Sequence, residues 1–183
     1  MLARRHNGVC AGGSNGITAR GVIAIKIMFV CLGNICRSPM AEAIFRNMVT
    51  QKGLHDKIIA ASCGTSGYNI GDPPHSGTKK ILASHGISHE GIRASKLERR
   101  HLREFDALIA MDEDNLADIL RLKDKNATAL VKLLSDFSKG GWVSVPDPWY
   151  TGNFELTYEL ITDGCATLLD YIVDTMEREK PGV

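Results

Sequence analysis

Residues 31–38 read Cys-Leu-Gly-Asn-Ile-Cys-Arg-Ser, so that five residues separate the Cys31 thiol from Arg37. A mostly apolar, β-branched run over residues 22–30 comes before this segment and predicts a buried strand. Pro39 and apolar residues at helical spacing follow it and predict a helix. A loop between such elements turns backbone N–H groups toward one point, which favours a bound anion and the thiolate form of Cys31. Because Arg37 can bind two phosphate oxygens with its planar guanidinium, the segment predicts nucleophilic cysteine chemistry on a phosphate ester.

Length, charge and cysteine content limit the class of protein. The chain has 183 residues, enough for one domain with a substantial core. Its net charge of +1, with charges of both signs interspersed, gives no electrostatic reason to expect nucleic acid or a membrane as a partner. No apolar run is long enough to span a bilayer. Five irregularly spaced cysteines do not indicate a secreted disulfide framework, so we expect a protein of the reducing cytoplasm.

The first 21 residues differ from the rest of the chain. They are rich in Gly, Asn, Ser and Arg, contain no acidic residue, and have no apolar periodicity. They also lack the apolar centre of a signal peptide. A transit peptide is one interpretation, but we favour a disordered extension over residues 1–21 before a single domain over residues 22–183.

Apolar strand candidates alternate with helix candidates along this domain. The patterns predict strands at about 23–30, 57–62, 105–110 and 129–134, and helices at 39–52, 76–86, 113–123 and 154–178. Asp112 is the predicted N-cap of the third helix, and Gly53 and Gly86 are predicted helix stops. The alternation predicts an α/β fold with a four-stranded parallel sheet covered by helices on both faces. Ligands of such sheets bind beyond the carboxyl ends of the strands, which is where Cys31 falls.

Several motifs resemble those of the low-molecular-weight protein tyrosine phosphatases. The likeness is carried by residues 25–45, by Thr-Ser-Gly-Tyr at 65–68, His-Gly-Ile at 85–87, Ala-Met-Asp-Glu at 110–113 and Asp-Pro-Trp-Tyr at 147–150. It covers roughly residues 22–178. The resemblance implies a Rossmann-like domain that hydrolyses phosphotyrosine in proteins through a phosphocysteine intermediate, with no metal and no cofactor.

Three residues form the predicted catalytic group. Cys31 is the nucleophile that attacks phosphorus, and Arg37 stabilises the equatorial oxygens of the transferred phosphoryl group. Asp147 lies between two prolines, a pattern that by itself indicates only a turn. The resemblance implies that Asp147 is the general acid, which protonates the leaving phenolate oxygen and then activates water.

The other predicted site residues surround the phosphate or the substrate ring. Asn34 tolerates a left-handed backbone, and Ser38 is expected to donate to the thiolate or to cap the helix. Tyr68, Trp149 and Tyr150 are expected to enclose a phenyl ring, so that phosphotyrosine reaches the thiolate and phosphoserine does not. Free phosphate or sulfate is expected in the same pocket. The predicted substrate-binding set is Leu32, Gly33, Asn34, Ile35, Cys36, Ser38, Tyr68, Trp149 and Tyr150.

Two features near the site have alternative interpretations. A reversible disulfide between Cys31 and Cys36 would protect the nucleophile from oxidation, but a loop-filling role also explains Cys36. Members of the family often place a supporting histidine where this chain has Gly91, and His89 lies two residues earlier. Either His89 replaces that support or the support is absent. Ser62 is expected to hydrogen-bond the turn of the cysteine loop.

Three other functions fit parts of the pattern. Ile35 stands where protein arginine phosphatases, which resemble this family, have threonine, and an apolar side chain better suits an aromatic ester. An arsenate reductase of the same fold needs a later cysteine pair, whereas Cys63 and Cys165 are isolated. A phosphocarrier must retain its phosphate, whereas an arginine clamp together with Asp147 favours turnover.

Overall fold

The computed structural model describes residues 24–178; the predicted extension at 1–21 and the predicted domain ends, 22–23 and 179–183, lie outside them. Four parallel strands form one sheet in the order β2-β1-β3-β4: Ile25–Cys31 (β1), Ile58–Gly64 (β2), Ala107–Ala110 (β3) and Leu130–Leu133 (β4). The α-helices of the described part are Arg37–Gln51 (α1), Ser76–Ser84 (α2), His101–Glu104 (α3), Glu113–Leu122 (α4), Pro148–Thr151 (α5) and Phe154–Arg178 (α6), with a 3-10 helix at Leu134–Phe137. The predicted α/β fold is confirmed.

Strand β1 lies in the centre of the sheet and is buried on both faces. Its side chains alternate, so that Ile27 and Phe29 pack against the layer of α1, α2 and α6. Met28 and Val30 pack on the opposite face, with α3 and α4. This double burial explains why the strand appears in the sequence as a nearly continuous apolar run.

The predicted helix boundaries are largely confirmed. The side chain of Asp112 accepts a hydrogen bond of 2.7 Å from the backbone N–H of Asn115, which caps α4. Gly53 and Gly86 follow α1 and α2 with φ values of +67° and +66°, a left-handed backbone that ends a helix at little cost for glycine.

Helix α1 begins two residues earlier than predicted. The N–H of Met40 donates to the carbonyl oxygen of Cys36 at 3.3 Å, which closes the first turn with Arg37 as the first helical residue. Pro39 is therefore the third helical residue, and it fits because the first turn needs no N–H from that position. Cys36 occupies the N-cap, so the alternative role of Ser38 as the cap is wrong.

The carboxyl ends of three neighbouring strands meet at one edge of the sheet. Strand β1 ends at Cys31, β2 at Gly64 and β3 at Ala110, and the segments that follow these strands are in contact. The ends of β1 and β2 approach closely here: a Cβ atom added at Gly64 would lie only 2.7 Å from the carbonyl oxygen of Leu32. Among residues 24–178, no helix has both the length and the apolarity to cross a membrane.

Candidate active site

The Cys31 loop, residues 31–38, connects β1 to α1 and holds the Cys31 sulfur between two hydrogen-bonding groups. Asn34 adopts the predicted left-handed conformation (φ 55°), and its backbone N–H donates to Sγ at 3.3 Å. The Ser38 hydroxyl lies 3.0 Å from the same sulfur and 3.3 Å from the carbonyl oxygen of Cys63. Asn34 Nδ2 also donates to Ser38 Oγ at 2.9 Å. Because a thiolate carries no proton, Ser38 is the donor to the sulfur whenever Cys31 is ionised.

Asn34 fixes the loop through its side chain, which is buried. Its Nδ2 donates to Ser62 Oγ at 2.8 Å, the contact predicted for Ser62, and its Oδ1 accepts from the backbone N–H of Ser95 at 2.8 Å. Ser95, which sequence reasoning missed, takes the supporting role that the resemblance gives to a histidine. Within the described residues the His89 side chain makes no hydrogen bond to the loop, and Gly91 forms a turn with φ +76°.

A buried carboxylate lies behind this network. Ser62 Oγ donates to Glu42 Oε2 at 2.5 Å, and Arg46 pairs with Glu42 Oε1 at 2.5 Å. Burial raises the pKa of Glu42, while the bonds to Ser62 and Arg46 act in the opposite direction. Sequence reasoning missed Glu42, because a glutamate in a helix normally faces solvent. The Cys31 loop is thus connected to both α1 and β2 through hydrogen bonds.

Arg37 reaches across the pocket floor and contacts two carboxylates. Its Nη1 lies 2.5 Å from Asp112 Oδ2 and 3.2 Å from the carbonyl oxygen of Val145, and its Nη2 lies 2.7 Å from Asp147 Oδ2. Burial alone would lower the pKa of Arg37, but the negative charges of Cys31, Asp112 and Asp147 raise it above its usual value. The buried Nε has no hydrogen-bond partner among the described residues. The guanidinium therefore stays charged and keeps one donor for a further acceptor.

Asp112 is a site residue that the sequence indicated only as a helix cap. It follows β3, which pairs with β1, and its two oxygens are divided between capping α4 and binding Arg37. The signal that could have found it is its position after a strand next to the Cys31 strand.

The Asp147 loop, residues 146–153, forms the opposite side of the site. Asp147 is the N-cap of α5, where its Oδ1 accepts from the backbone N–H of Trp149 at 3.0 Å and Pro148 fills the first helical position. Its other oxygen pairs with Arg37. One carboxylate thus caps the short helix and faces the guanidinium next to Cys31.

The pocket between the two loops has a volume of about 270 Å³. Tyr68, Trp149 and Tyr150 stand at its mouth, with 96%, 60% and 77% of their surface exposed. Asn34 and Ser38, predicted as substrate-binding residues, are buried behind the loop and do not line the pocket. The lining adds Ser66 and Asn69, which the sequence did not indicate, to the predicted Cys31, Leu32, Gly33, Ile35, Cys36, Arg37, Tyr68, Asp147, Trp149 and Tyr150.

Cys36 is the second thiol of the pocket and differs from Cys31 in its surroundings. Burial first, and then the negative charges of Asp147 and Cys31, raise the pKa of Cys36 to about 12. Cys36 therefore remains a neutral thiol near neutral pH. Between residues 24 and 178, no group of three or more His, Cys, Asp or Glu side chains is arranged to hold a metal ion.

This geometry agrees with comparisons to known proteins. A sequence model of the low molecular weight phosphotyrosine protein phosphatase family matches residues 26–181, and the chain belongs to that family. It is 48% identical over 157 residues to the low molecular weight protein-tyrosine-phosphatase YfkJ of Bacillus subtilis, covering 85% of this chain and 98% of the relative. It is 44% identical over 149 residues to the low molecular weight protein-tyrosine-phosphatase PtpA of Staphylococcus aureus, covering 81% and 94%.

Solved structures show the same fold. The crystal structure of YfkJ superposes with a TM-score of 0.79 at 45% identity and covers 86% of this chain and 98% of that chain. A protein tyrosine phosphatase from Entamoeba histolytica, crystallised with Hepes in the active site, gives a TM-score of 0.78 at 30% identity, with coverages of 84% and 99%.

Proposed function

We propose that this protein hydrolyses phosphotyrosine in protein substrates through a phosphocysteine formed on Cys31. The observation that carries the proposal is the meeting, in one pocket, of the Cys31 sulfur with its two hydrogen-bonding groups and a buried guanidinium with an unpartnered Nε. These groups supply a nucleophile and a cation for a phosphate dianion. The relatives named above as protein-tyrosine-phosphatases support the same activity.

The reaction has two steps in this proposal. The Cys31 thiolate attacks phosphorus, the bond from phosphorus to the tyrosine oxygen breaks, and Asp147 gives its proton to the leaving oxygen. Water then attacks the phosphocysteine, and the Asp147 carboxylate takes a proton from that water. Inorganic phosphate leaves, and the thiolate is restored with Ser38 as its hydrogen-bond donor.

Arg37 serves both steps as the phosphate clamp. In this structure it binds Asp112 and Asp147. We expect an incoming phosphate to bind Nε and to replace Asp147 on the guanidinium, while Asp112 holds Arg37 in place. Asp147, released from Arg37, then faces the leaving oxygen in its protonated form.

The walls of the pocket favour an aromatic ester. Tyr68, Trp149 and Tyr150 provide flat apolar surfaces at the mouth, and Ile35 lines the wall where an arginine phosphatase would have threonine. The geometry gives no support to an arsenate reductase, because Cys63 and Cys165 are both completely buried and neither lines the pocket. Free phosphate or sulfate is expected to compete with the substrate for the same site.

A cytoplasmic location is part of the proposal. The cysteines of the described part, Cys31, Cys36, Cys63 and Cys165, are all free thiols, which suits a reducing compartment. The partner expected there is a tyrosine-phosphorylated protein.

The proposal is tested by offering the full chain three peptides of one sequence that carry phosphotyrosine, phosphoserine or phosphoarginine. We expect release of phosphate from the phosphotyrosine peptide only, and no release in Cys31→Ser. Preference for phosphoarginine would show that the proposed substrate is wrong, but it would leave the role of Cys31 as nucleophile unchanged. Hydrolysis by Cys31→Ser at the wild-type rate would overturn the mechanism.

A further inference from the structure

An aromatic cluster formed by Trp149 and two residues outside the predicted site, His75 and Phe154, holds the Asp147 loop. The ring of His75 is stacked on Phe154, with centroids 5.2 Å apart and planes 2° apart. The same ring meets Trp149 in an edge-to-face contact, with centroids 5.6 Å apart and planes at 74°. Trp149 belongs to the Asp147 loop, and Phe154 begins α6 directly after it. His75 therefore contacts both the loop and the helix that follows it.

The other side of His75 is fixed to the Cys31 loop and to α2. Its backbone N–H donates to the carbonyl oxygen of Ile35 at 2.7 Å. Its Nδ1 accepts from the N–H of Gly77 at 3.1 Å, which makes His75 the N-cap of α2. Phe154 is pressed against this turn so closely that a side chain on Gly77 would lie 2.4 Å from the ring. One residue thus connects the two loops of the site.

The residue type is unusual for a cap alone. Asn, Asp, Ser and Thr are the preferred N-cap residues, and any of them would satisfy the Gly77 N–H. Only a ring at this position can also stack on Phe154 and meet Trp149. The imidazole therefore has a use that the cap does not explain.

We propose that His75 is a positioning residue for Asp147, which acts through Trp149. The ring of His75 holds Trp149, and the Trp149 N–H holds Asp147 Oδ1 at 3.0 Å. Loss of the ring lets the loop shift, which moves the carboxyl group away from the leaving oxygen. A shift of this kind slows the step that needs the acid more than the attack by Cys31. This inference rests on the proposed role of Asp147 as general acid.

Two variants separate the ring from the cap. His75→Asn keeps an acceptor for Gly77 and removes the ring, whereas His75→Phe keeps a ring and removes the acceptor. The measurement is kcat/KM for phenyl phosphate, which needs the acid, and for 4-nitrophenyl phosphate, which needs it less. In His75→Asn we expect about a tenfold loss with phenyl phosphate, a fraction of a full general-acid effect, and little loss with 4-nitrophenyl phosphate.

His75→Phe should restore the wild-type ratio of the two rates while lowering Tm through the lost cap. Phe154→Leu removes the stacking partner from outside the pocket, and it should change the ratio in the same direction as His75→Asn. If His75→Phe fails to fold, the rate ratio of Phe154→Leu alone shows whether the stacked ring positions Asp147. An unchanged ratio in both His75→Asn and Phe154→Leu would overturn the inference, as would a His75→Phe ratio as altered as that of His75→Asn.

Asp147→Asn, measured in parallel, distinguishes a failure of the inference about His75 from a failure of the proposed function. If Asp147→Asn slows both esters equally, the general-acid role is wrong and the inference about His75 is overturned with it. If Asp147→Asn slows phenyl phosphate selectively and His75→Asn does not, only the inference about His75 is wrong.

Discussion

The Cys31 loop and the Asp147 loop face each other across the pocket, but they are held in different ways. Most residues of the first are buried, and hydrogen bonds from Asn34 and Ser62 connect it to two elements of the fold. The second exposes most of Trp149 and Tyr150, and its contacts to the rest of the site include one ion pair and an aromatic cluster. The difference indicates that the phosphate end of the site is preformed, whereas the end that meets the substrate protein adjusts more readily.

This contrast predicts two kinds of variant. Changes that affect the Cys31 side of the pocket should slow all aryl phosphates alike, because every ester needs the same thiolate and clamp. Changes that affect the Asp147 side should slow esters with basic leaving groups more than others, because only those depend strongly on a proton donor.

Arg37→Lys should have the largest effect of the variants compared. Lysine has no planar fork, and it cannot bind Asp112 and phosphate in the same geometry. We expect kcat/KM to fall by roughly 10²–10³-fold for phenyl and 4-nitrophenyl phosphate alike, the range known for loss of a transition-state donor. Arg121→Lys, at a side chain that is 74% exposed, is the matched control. Nearly unchanged turnover in Arg37→Lys would show that the guanidinium is not the clamp.

Asp147→Asn should distinguish the contributions of the two loops most clearly. Asparagine can still cap α5, so the local helix is kept while the acid is lost. We expect a loss of about 10²-fold with phenyl phosphate and a clearly smaller loss with 4-nitrophenyl phosphate, measured as kcat/KM. Asp114→Asn, on the exposed first turn of α4, is the control. Equal losses with both esters would contradict the assignment.

Ser62→Ala should weaken the Cys31 loop without touching the substrate. It leaves Glu42 Oε2 and one contact of Asn34 unsatisfied in the core, at a cost of about 1–3 kcal/mol in the free energy of unfolding. The activity should fall by about tenfold with no change in leaving-group dependence. Chemical denaturation and steady-state rates check both parts, with Ser84→Ala on the surface of α2 as control. A selective loss of activity with phenyl phosphate would mean that a change on the Cys31 side also affects the Asp147 loop.

His101→Gln should have the smallest effect on activity, because α3 contributes to neither loop. Burial, and then the charge of Arg100, lower the pKa of His101. The folded state therefore favours neutral imidazole, and the stability that this gives is present above the unfolded pKa of about 6.5 and is lost as the pH falls toward the folded value. We expect His101→Gln to flatten the fall in Tm below pH 6.5 while kcat/KM stays unchanged. A change in activity would extend the functional region beyond the two loops.

The sequence predicted the elements well, because their signals are local. The apolar run of β1, the cap at Asp112 and the glycines after α1 and α2 all act within a few residues, and each is found where it was expected. The start of α1 was predicted late because proline suits the whole first turn and not only its first position.

The sequence did not predict contacts that depend on strand order. Asp112 meets Arg37 only because β3 lies beside β1, and Ser95 replaces a histidine through a backbone N–H that no side chain pattern reveals. His75 was missed because its partners Trp149 and Phe154 lie far from it along the chain.

The central claim is that phosphate is transferred to the Cys31 sulfur. Its most direct test is to mix the full chain with a phosphotyrosine peptide, quench the reaction within one turnover, and locate the bound phosphate by mass spectrometry of the digested protein. We expect phosphate on Cys31 in the wild type and none in Cys31→Ser. Phosphate on any other residue, or turnover by Cys31→Ser, would contradict the account.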